Sequence, residues 1–251
     1  IASGGAGKII PYWCEQNTST GGRYQAYASL VDISIPLPAC EDFSCSIDTG
    51  SSTIGVITGM FFEEFSGTNF WNRRSSASAY GLGSGAARFS NWTASAGTIQ
   101  SLISYNFTPA VTNTYLTFDV AYRPFSTYVD SLIIETSTNS GSTYFALARL
   151  WGGLGTNAGP LNTVFTSGAQ FIPVANQWSP RIYQLPNGTN KVKLRARSGF
   201  GNDLWLDNIC IQTLPANTTT TVGLASQGMF IPADPYWRML DTIRVYLHRT
   251  D

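Results

Sequence analysis

The sequence predicts an all-β chain, and three observations carry that prediction. Apolar residues alternate with polar ones in short runs, Gly, Asn, Ser and Pro break the chain every ten or so residues, and almost no stretch has helical periodicity. That combination is the signature of a sandwich or barrel. The 251 residues suffice for one large β domain or two small ones.

Individual runs support this reading. In "YLTFDVAY" (115–122), Leu116, Phe118, Val120 and Tyr122 share one face, and Thr117 and Asp119 share the other. In "KVKLRAR" (191–197), Val192, Leu194 and Ala196 point inward, and Lys191, Lys193, Arg195 and Arg197 point outward. Four cations on one strand face can grip an anionic polymer, although alternation alone equally predicts a solvated outer sheet face. "DSLIIETS", "STYFALARLW" and "NDLWLDNICIQ" are three more strands, and "TNSGSTY" between the first two is a hairpin turn. The longer stretch "STNSGSTY" (137–144) matches the Asp-box pattern S-x-D-x-G-x-T-W, with Asn139 for the Asp and Tyr144 for the Trp. It predicts a structural turn and no catalytic role.

Composition divides the chain into three regions. Residues 1–57 form a small N-terminal β segment with three of the four cysteines, and residues 58–214 hold the densest strand series. Residues 215–251 comprise a Thr-rich linker and a two-strand tail. Two strands alone are marginal in water, so the tail is expected to be buried by pairing internally or with a neighbouring subunit. The second option allows self-assembly into a filament by strand addition.

Charge excludes several function classes. Fifteen Lys+Arg balance fifteen Asp+Glu, and charged residues are 12% of the chain, about half the usual ~25%. Nothing steers the chain as a whole to nucleic acid, and no apolar run reaches the ~18 residues of a membrane span. The start "IASGGAGKII" has neither Met nor a charged-then-apolar leader, as expected of a trimmed, exported product. Cys14, Cys40, Cys45 and Cys210 lack a CxxC pair, and His248 is the only histidine, so a zinc site is not expected. An even cysteine count in this Ser/Thr-rich chain suits an oxidising compartment. Of the three possible pairings, Cys40–Cys45 with Cys14–Cys210 is the favoured expectation. Five N-x-S/T sequons begin at Asn17, Asn91, Asn106, Asn187 and Asn217.

One motif suggests catalysis. Asp48-Thr49-Gly50-Ser51-Ser52 matches the pepsin-like active-site signature. That chemistry needs two aspartates sharing one proton. No second D-[ST]-G occurs, and Cys45-Ser46-Ile47 before the Asp is only partly apolar. An Asp-Thr-Gly turn is therefore expected, with no proteolysis. Glycoside hydrolysis also needs two placed carboxylates, and Glu63, Glu64, Glu135 and Asp119 have no spacing that singles out a pair. "GLGSGAARF" (81–89) lacks the Lys and following helix of a phosphate loop. No catalytic residue is assigned, and the chain is not expected to be an enzyme.

The order of features in 58–214 carries a resemblance. "FFEEFSG" opens it, followed by "ARFSNWTASAGTIQSLISYNFTP", "LTFDVAYRP", "DSLIIETSTNSGSTY", "WSPRIYQLP" and "VKLRARSGFGNDLWLDNICI". This resembles the MAM-like, concanavalin-like jelly-roll module of secreted Bacteroidetes-type proteins. Such modules accompany metallopeptidases and adhesins exported by the type IX route. The resemblance implies a jelly-roll β-sandwich whose first and last strands lie side by side. It thereby implies that Glu63 and Glu64 on the opening strand meet Asp207 and Asn208 on the closing one around a structural Ca²⁺. The expected protein is secreted or at the cell surface and non-catalytic. It serves adhesion, ligand binding or extracellular structure, with a surface polymer, glycan or protein as partner. The alternative is an accessory carbohydrate- or protein-binding module of a secreted hydrolase. Seven Trp and twelve Tyr can supply stacking platforms for sugar, although most aromatics at strand spacing belong to a core.

Overall fold

The computed structural model describes residues 34–44, the backbone of 61–64, and residues 70–214. The Asp48 motif, Cys14, Cys45, His248 and the tail strands of 222–251 lie outside the described residues. Eleven strands occur among the described residues: β1 (Ala39–Glu41), β2 (Phe61–Glu64), β3 (Trp71–Arg74), β4 (Ala86–Phe89), β5 (Ile99–Ser104), β6 (Thr114–Tyr122), β7 (Asp130–Ser137), β8 (Phe145–Gly152), β9 (Ser179–Gln184), β10 (Lys191–Arg197) and β11 (Leu204–Thr213). They form two antiparallel sheets. One runs β3-β4-β11-β6-β9, with β1 also paired to β11, and the other runs β2-β5-β10-β7-β8. The chain is thus the all-β sandwich that its alternating pattern predicts.

Alternation explains which side chains fill the space between the sheets. Leu116, Phe118, Val120 and Tyr122 of β6 are buried there, with Leu204, Leu206, Ile209 and Ile211 of β11. The other sheet contributes Leu102, Leu132, Ile134, Val192, Leu194 and Ala196. Ala121 and Asp119 on the far face of β6 are buried as well. A second apolar layer covers that face, in which Phe171 and Trp178 of the β8–β9 connection pack with Ala79, Ala86 and Trp205. Trp205 Nε1 donates to the Phe171 carbonyl at 2.9 Å, so the indole closes the layer without an unpaired N–H. The six-stranded sheet is therefore roofed where single-faced alternation predicts solvent.

The hairpin at 137–144 forms as its residues demand. Asn139 Oδ1 accepts from the Thr143 amide at 2.9 Å, and Nδ2 donates to Thr143 Oγ1 at 2.8 Å. Ser140 and Gly141 both take positive φ, of 57° and 89°, the backbone form Gly accepts most readily.

Two expectations are corrected. Cys40 pairs with Cys210, not with Cys45. The cause is register: β1 runs antiparallel to β11, with Cys40 directly opposite Cys210 and their Cα atoms 4.0 Å apart. Segment 1–57 thus supplies a strand to the sandwich itself. The strand beside the closing strand is consequently β1, whereas β2, with Glu63 and Glu64, pairs with β5 in the opposite sheet. β2 is thus not hydrogen-bonded to β11, along one edge of which β1 and β4 occupy successive stretches.

Candidate functional site

Four connections gather at one end of the sandwich, where β4, β6, β8 and β10 finish and β5, β7, β9 and β11 begin. Their aromatic residues touch in series. Trp92 of the β4–β5 loop packs edge-on against Phe125 of the β6–β7 loop, with ring centroids 4.7 Å apart. Phe125 stacks on Tyr128 at 6.1 Å, and Tyr128 meets Phe200 of the β10–β11 loop at 5.4 Å and 84°. The outer two rings stay accessible, Tyr128 at 36% and Phe200 at 44%. The near-perpendicular pair forms an open apolar corner, an arrangement a buried core does not require.

Buried polar side chains hold this rim. Asp130, fully buried at the start of β7, accepts the amides of Gly199 at 2.7 Å, Gly201 at 3.2 Å and Asn202 at 2.9 Å. Its fourth donor is the Tyr122 hydroxyl at 2.8 Å. A carboxylate takes several donors at once, which suits a loop that turns its N–H groups inward. Burial raises the Asp130 pKa, while the donors from Gly199, Tyr122, Asn202 and Gly201 pull it down. Burial and the neighbouring carboxylate push the Tyr122 hydroxyl well above its ordinary range, so it stays a donor. Asn202 fixes the β8–β9 connection, accepting from the Phe171 amide at 2.8 Å and donating to the Ala169 carbonyl at 3.0 Å. Asp203 accepts from the Trp92 amide at 3.1 Å and from Gln170 at 2.9 Å, and faces Arg88 at 3.5 Å.

Phe200 occupies the left-handed region at φ 71°, which is sterically costly for a bulky side chain. The chain on either side of it is tightly packed. A Cβ on Gly199 would collide with the Val129 carbonyl, and one on Gly201 with the Asp130 carboxylate. Asp130 ties down the two glycines that flank the exposed ring.

The residues singled out from the sequence fall elsewhere. Asp207 lies on the roofed face of the six-stranded sheet, opposite Asp119 in the β11–β6 ladder. Its two oxygens accept the Ala79 amide at 2.7 Å and the Asn208 amide at 2.8 Å. Asn208 has a φ of 49° at a register shift, and its Nδ2 donates to Asp119 Oδ2 at 2.8 Å. The Tyr80 hydroxyl donates to Asp119 Oδ1 at 2.8 Å. The carboxylate facing Asp207 is thus Asp119, and the side chains of Glu63 and Glu64 lie outside the described residues. Both Asp207 oxygens and both Asp119 oxygens accept hydrogen bonds from neighbouring protein groups. Glu135 lies on the other outer face of the sandwich, held by Arg195 at 2.8 Å and Lys193 at 3.5 Å, so it cannot act with Asp119 on one glycosidic bond. No group of three or more His, Cys, Asp or Glu suited to a metal occurs among the described residues. The Asn91 sequon is buried, whereas Asn187 lies exposed in a turn.

Two buried carboxyls make stability depend on pH. Burial pushes Asp207 up to about 7, with Asp119 and Asp42 adding to the rise against the Ala79 and Asn208 amides. Burial likewise pushes Glu41 up to about 7, against the Phe43 amide. Between the ordinary carboxylate range and 7, the folded chain holds protons that the unfolded chain has released. Their contribution is present in full at low pH and is lost as pH rises through 7. The melting temperature is expected to be higher at about pH 5 than at about pH 8, and Asp207→Asn should flatten that slope. A melting temperature that rises over the same interval would contradict this account.

No family model matches the chain, and no curated protein matches it. Solved structures do. The K1 cleaved adhesin domain of Lys-gingipain from Porphyromonas gingivalis W83 is 14% identical, with a TM-score of 0.46, covering 71% of this chain and 99% of that one. The K2 cleaved adhesin domain of Lys-gingipain is 21% identical at a TM-score of 0.42, covering 70% and 98%. The C-terminal family 22 carbohydrate binding module of Clostridium thermocellum Xyn10B is 12% identical at a TM-score of 0.36, covering 64% and 91%. At these identities and TM-scores the likenesses assign neither a family nor a ligand.

Proposed function

We propose that this chain is a non-catalytic binding module that works outside the cell and takes carbohydrate at the aromatic rim of Trp92, Phe125, Tyr128 and Phe200. The observation that carries the reading is Phe200, an exposed ring on a strained backbone that Asp130 and two glycines hold in place. Sugar rings present flat C–H faces that pack on aromatic faces, and the Tyr128–Phe200 corner offers two such surfaces at an angle. The Cys40–Cys210 disulfide supports an oxidising compartment. No helix among the described residues is long and apolar enough to cross a membrane. Export by the type IX route, MAM-like kinship and a Ca²⁺ bound through Glu63, Glu64, Asp207 and Asn208 are further proposals, resting on the sequence resemblance. Melting curves that coincide with and without EDTA would remove the cation.

The test is calorimetry with neutral cello-, xylo- and manno-oligosaccharides. At least one is expected to bind, and Tyr128→Ala to weaken it about tenfold, as loss of one stacked ring should. Phe200→Gly separates binding from folding. It relieves the left-handed strain, so it is expected to leave the melting temperature unchanged or higher while reducing affinity by a similar factor. Affinity unchanged in both variants would exclude the rim.

A further inference from the structure

We infer that the outer face of the five-stranded sheet is a second binding site, a shallow trough along β7 that takes a segment of acidic polysaccharide. The register places its parts in two rows. Arg197, Ser131 and Trp151 lie across β10, β7 and β8 in one row, and Arg195, Ile133 and Arg149 in the next. The middle strand therefore carries the short side chains Ser131 and Ile133, with long ones standing on both sides. The walls are about 9.5 Å apart, twice the strand spacing, and successive cations on β10 are about 6.7 Å apart.

The charge of the trough is one-sided. Lys191, Lys193, Arg195 and Arg197 project from β10 and Arg149 from β8, whereas Glu135 is the carboxylate on this face among the described residues of β5, β7, β8 and β10. Lys193 and Arg195 share Glu135, and the Lys193 ammonium also sits 3.8 Å over the Tyr144 ring. These contacts tie Lys193 and Arg195 to Glu135 on β7. Arg149 and Arg197 are exposed at the open end, beside Trp151, which is 47% exposed. Gly159 keeps the indole in place, because a Cβ there would collide with the Trp151 ring.

The guanidinium groups of Arg149 and Arg197, on opposite walls and one row apart, can each bind carboxylate or sulfate oxygens in bidentate fashion. The indole beside them supplies an apolar face for the sugar ring that carries those groups. This combination favours an acidic polysaccharide over nucleic acid. Single-stranded nucleic acid calls for several stacking platforms along a cationic groove, whereas Trp151 is the aromatic side chain in the two rows of the trough. The trough is distinct from the aromatic rim, so either site can fail without the other.

The test is calorimetry on the full chain with oligogalacturonate and with a heparin-derived oligosaccharide, alongside a neutral xylo-oligosaccharide. Both acidic probes are expected to bind, and to weaken as salt rises from about 50 to about 200 mM, because binding releases counterions. The double variant R149A/R197A is expected to lose about tenfold or more in affinity for them. Its melting temperature should hold, since both side chains are exposed, and its binding of any neutral ligand at the rim should be unchanged. Phe200→Gly should leave acidic binding intact. Acidic probes bound no more tightly than the neutral one, or unchanged affinity in R149A/R197A, would overturn the site. Tighter binding of single-stranded DNA or of phosphatidylserine vesicles than of the acidic oligosaccharides would overturn the ligand class.

Discussion

Asp130→Ala is expected to destabilise the sandwich by about 4 kcal/mol, the largest effect of any polar substitution at the rim. The substitution removes the acceptor of three backbone amides, those of Gly199, Gly201 and Asn202, and of the Tyr122 hydroxyl, all inside a region closed to water. Each stranded donor costs about 1–3 kcal/mol. Relief of the burial cost of the carboxyl offsets part of that sum. Asp130→Asn keeps the shape but turns an NH₂ group toward amide donors, so it should fall between wild type and Asp130→Ala. Tyr122→Phe removes one bond and should cost about 1 kcal/mol. Urea unfolding of the three variants gives the series, and equal stabilities for Tyr122→Phe and Asp130→Ala would contradict the role of Asp130 as a hub. The rim should fail with the hub, because the loop carrying Phe200 is the one Asp130 ties down.

Loss of the Cys40–Cys210 bridge ranks second. The bridge spans 170 residues of sequence, so it removes much of the freedom of the unfolded chain. Chain-entropy arguments set a ceiling near 5 kcal/mol for such a loop, and about 3 kcal/mol is a usual outcome. C40S/C210S is therefore expected to lose about 3 kcal/mol, with β1, only three residues long, the first element to detach. Peptide mapping without reductant should recover residues 40 and 210 in one cross-linked fragment. A fragment joining Cys40 to Cys45 would refute the pairing.

The parts of this fold legible in the sequence are those that alternation dictates. Val192, Leu194 and Ala196 had to face one way and Lys193 and Arg195 the other, because a strand has a period of two. The turn at Asn139–Gly141 was legible for a similarly local reason, since Asn and Gly tolerate the required backbone. Strand adjacency was not legible. Whether β1 or β2 lies beside β11 depends on contacts across the whole chain, and "FFEEFSG" and "PACEDFS" are equally plausible opening strands by composition. In the ladders Asp207 lies opposite Asp119, and Glu63 and Glu64 lie on a strand paired with β5. The disulfide failed for the same reason, since Cys45 is nearer in sequence and Cys210 is nearer in register. The rim was hidden differently. Trp92, Phe125, Tyr128 and Phe200 come from three loops and share no spacing. The one local signal is Gly199-Phe200-Gly201, an aromatic between two glycines, followed by Asn202 and Asp203, two polar residues that prove fully buried. An aromatic set among residues of high backbone freedom and a buried Asn-Asp pair marks a loop shaped for display.

The most direct test of the central claim, that the rim binds carbohydrate, is an amide and aromatic NMR titration of the full chain with the best neutral oligosaccharide from the calorimetric panel. The account predicts shifts concentrated at Trp92, Phe125, Tyr128, Gly199, Phe200 and Gly201, with β8 and the outer face of β10 undisturbed. Shifts confined to the β10–β7–β8 face, or no saturable shift with any of the neutral sugars, would contradict it.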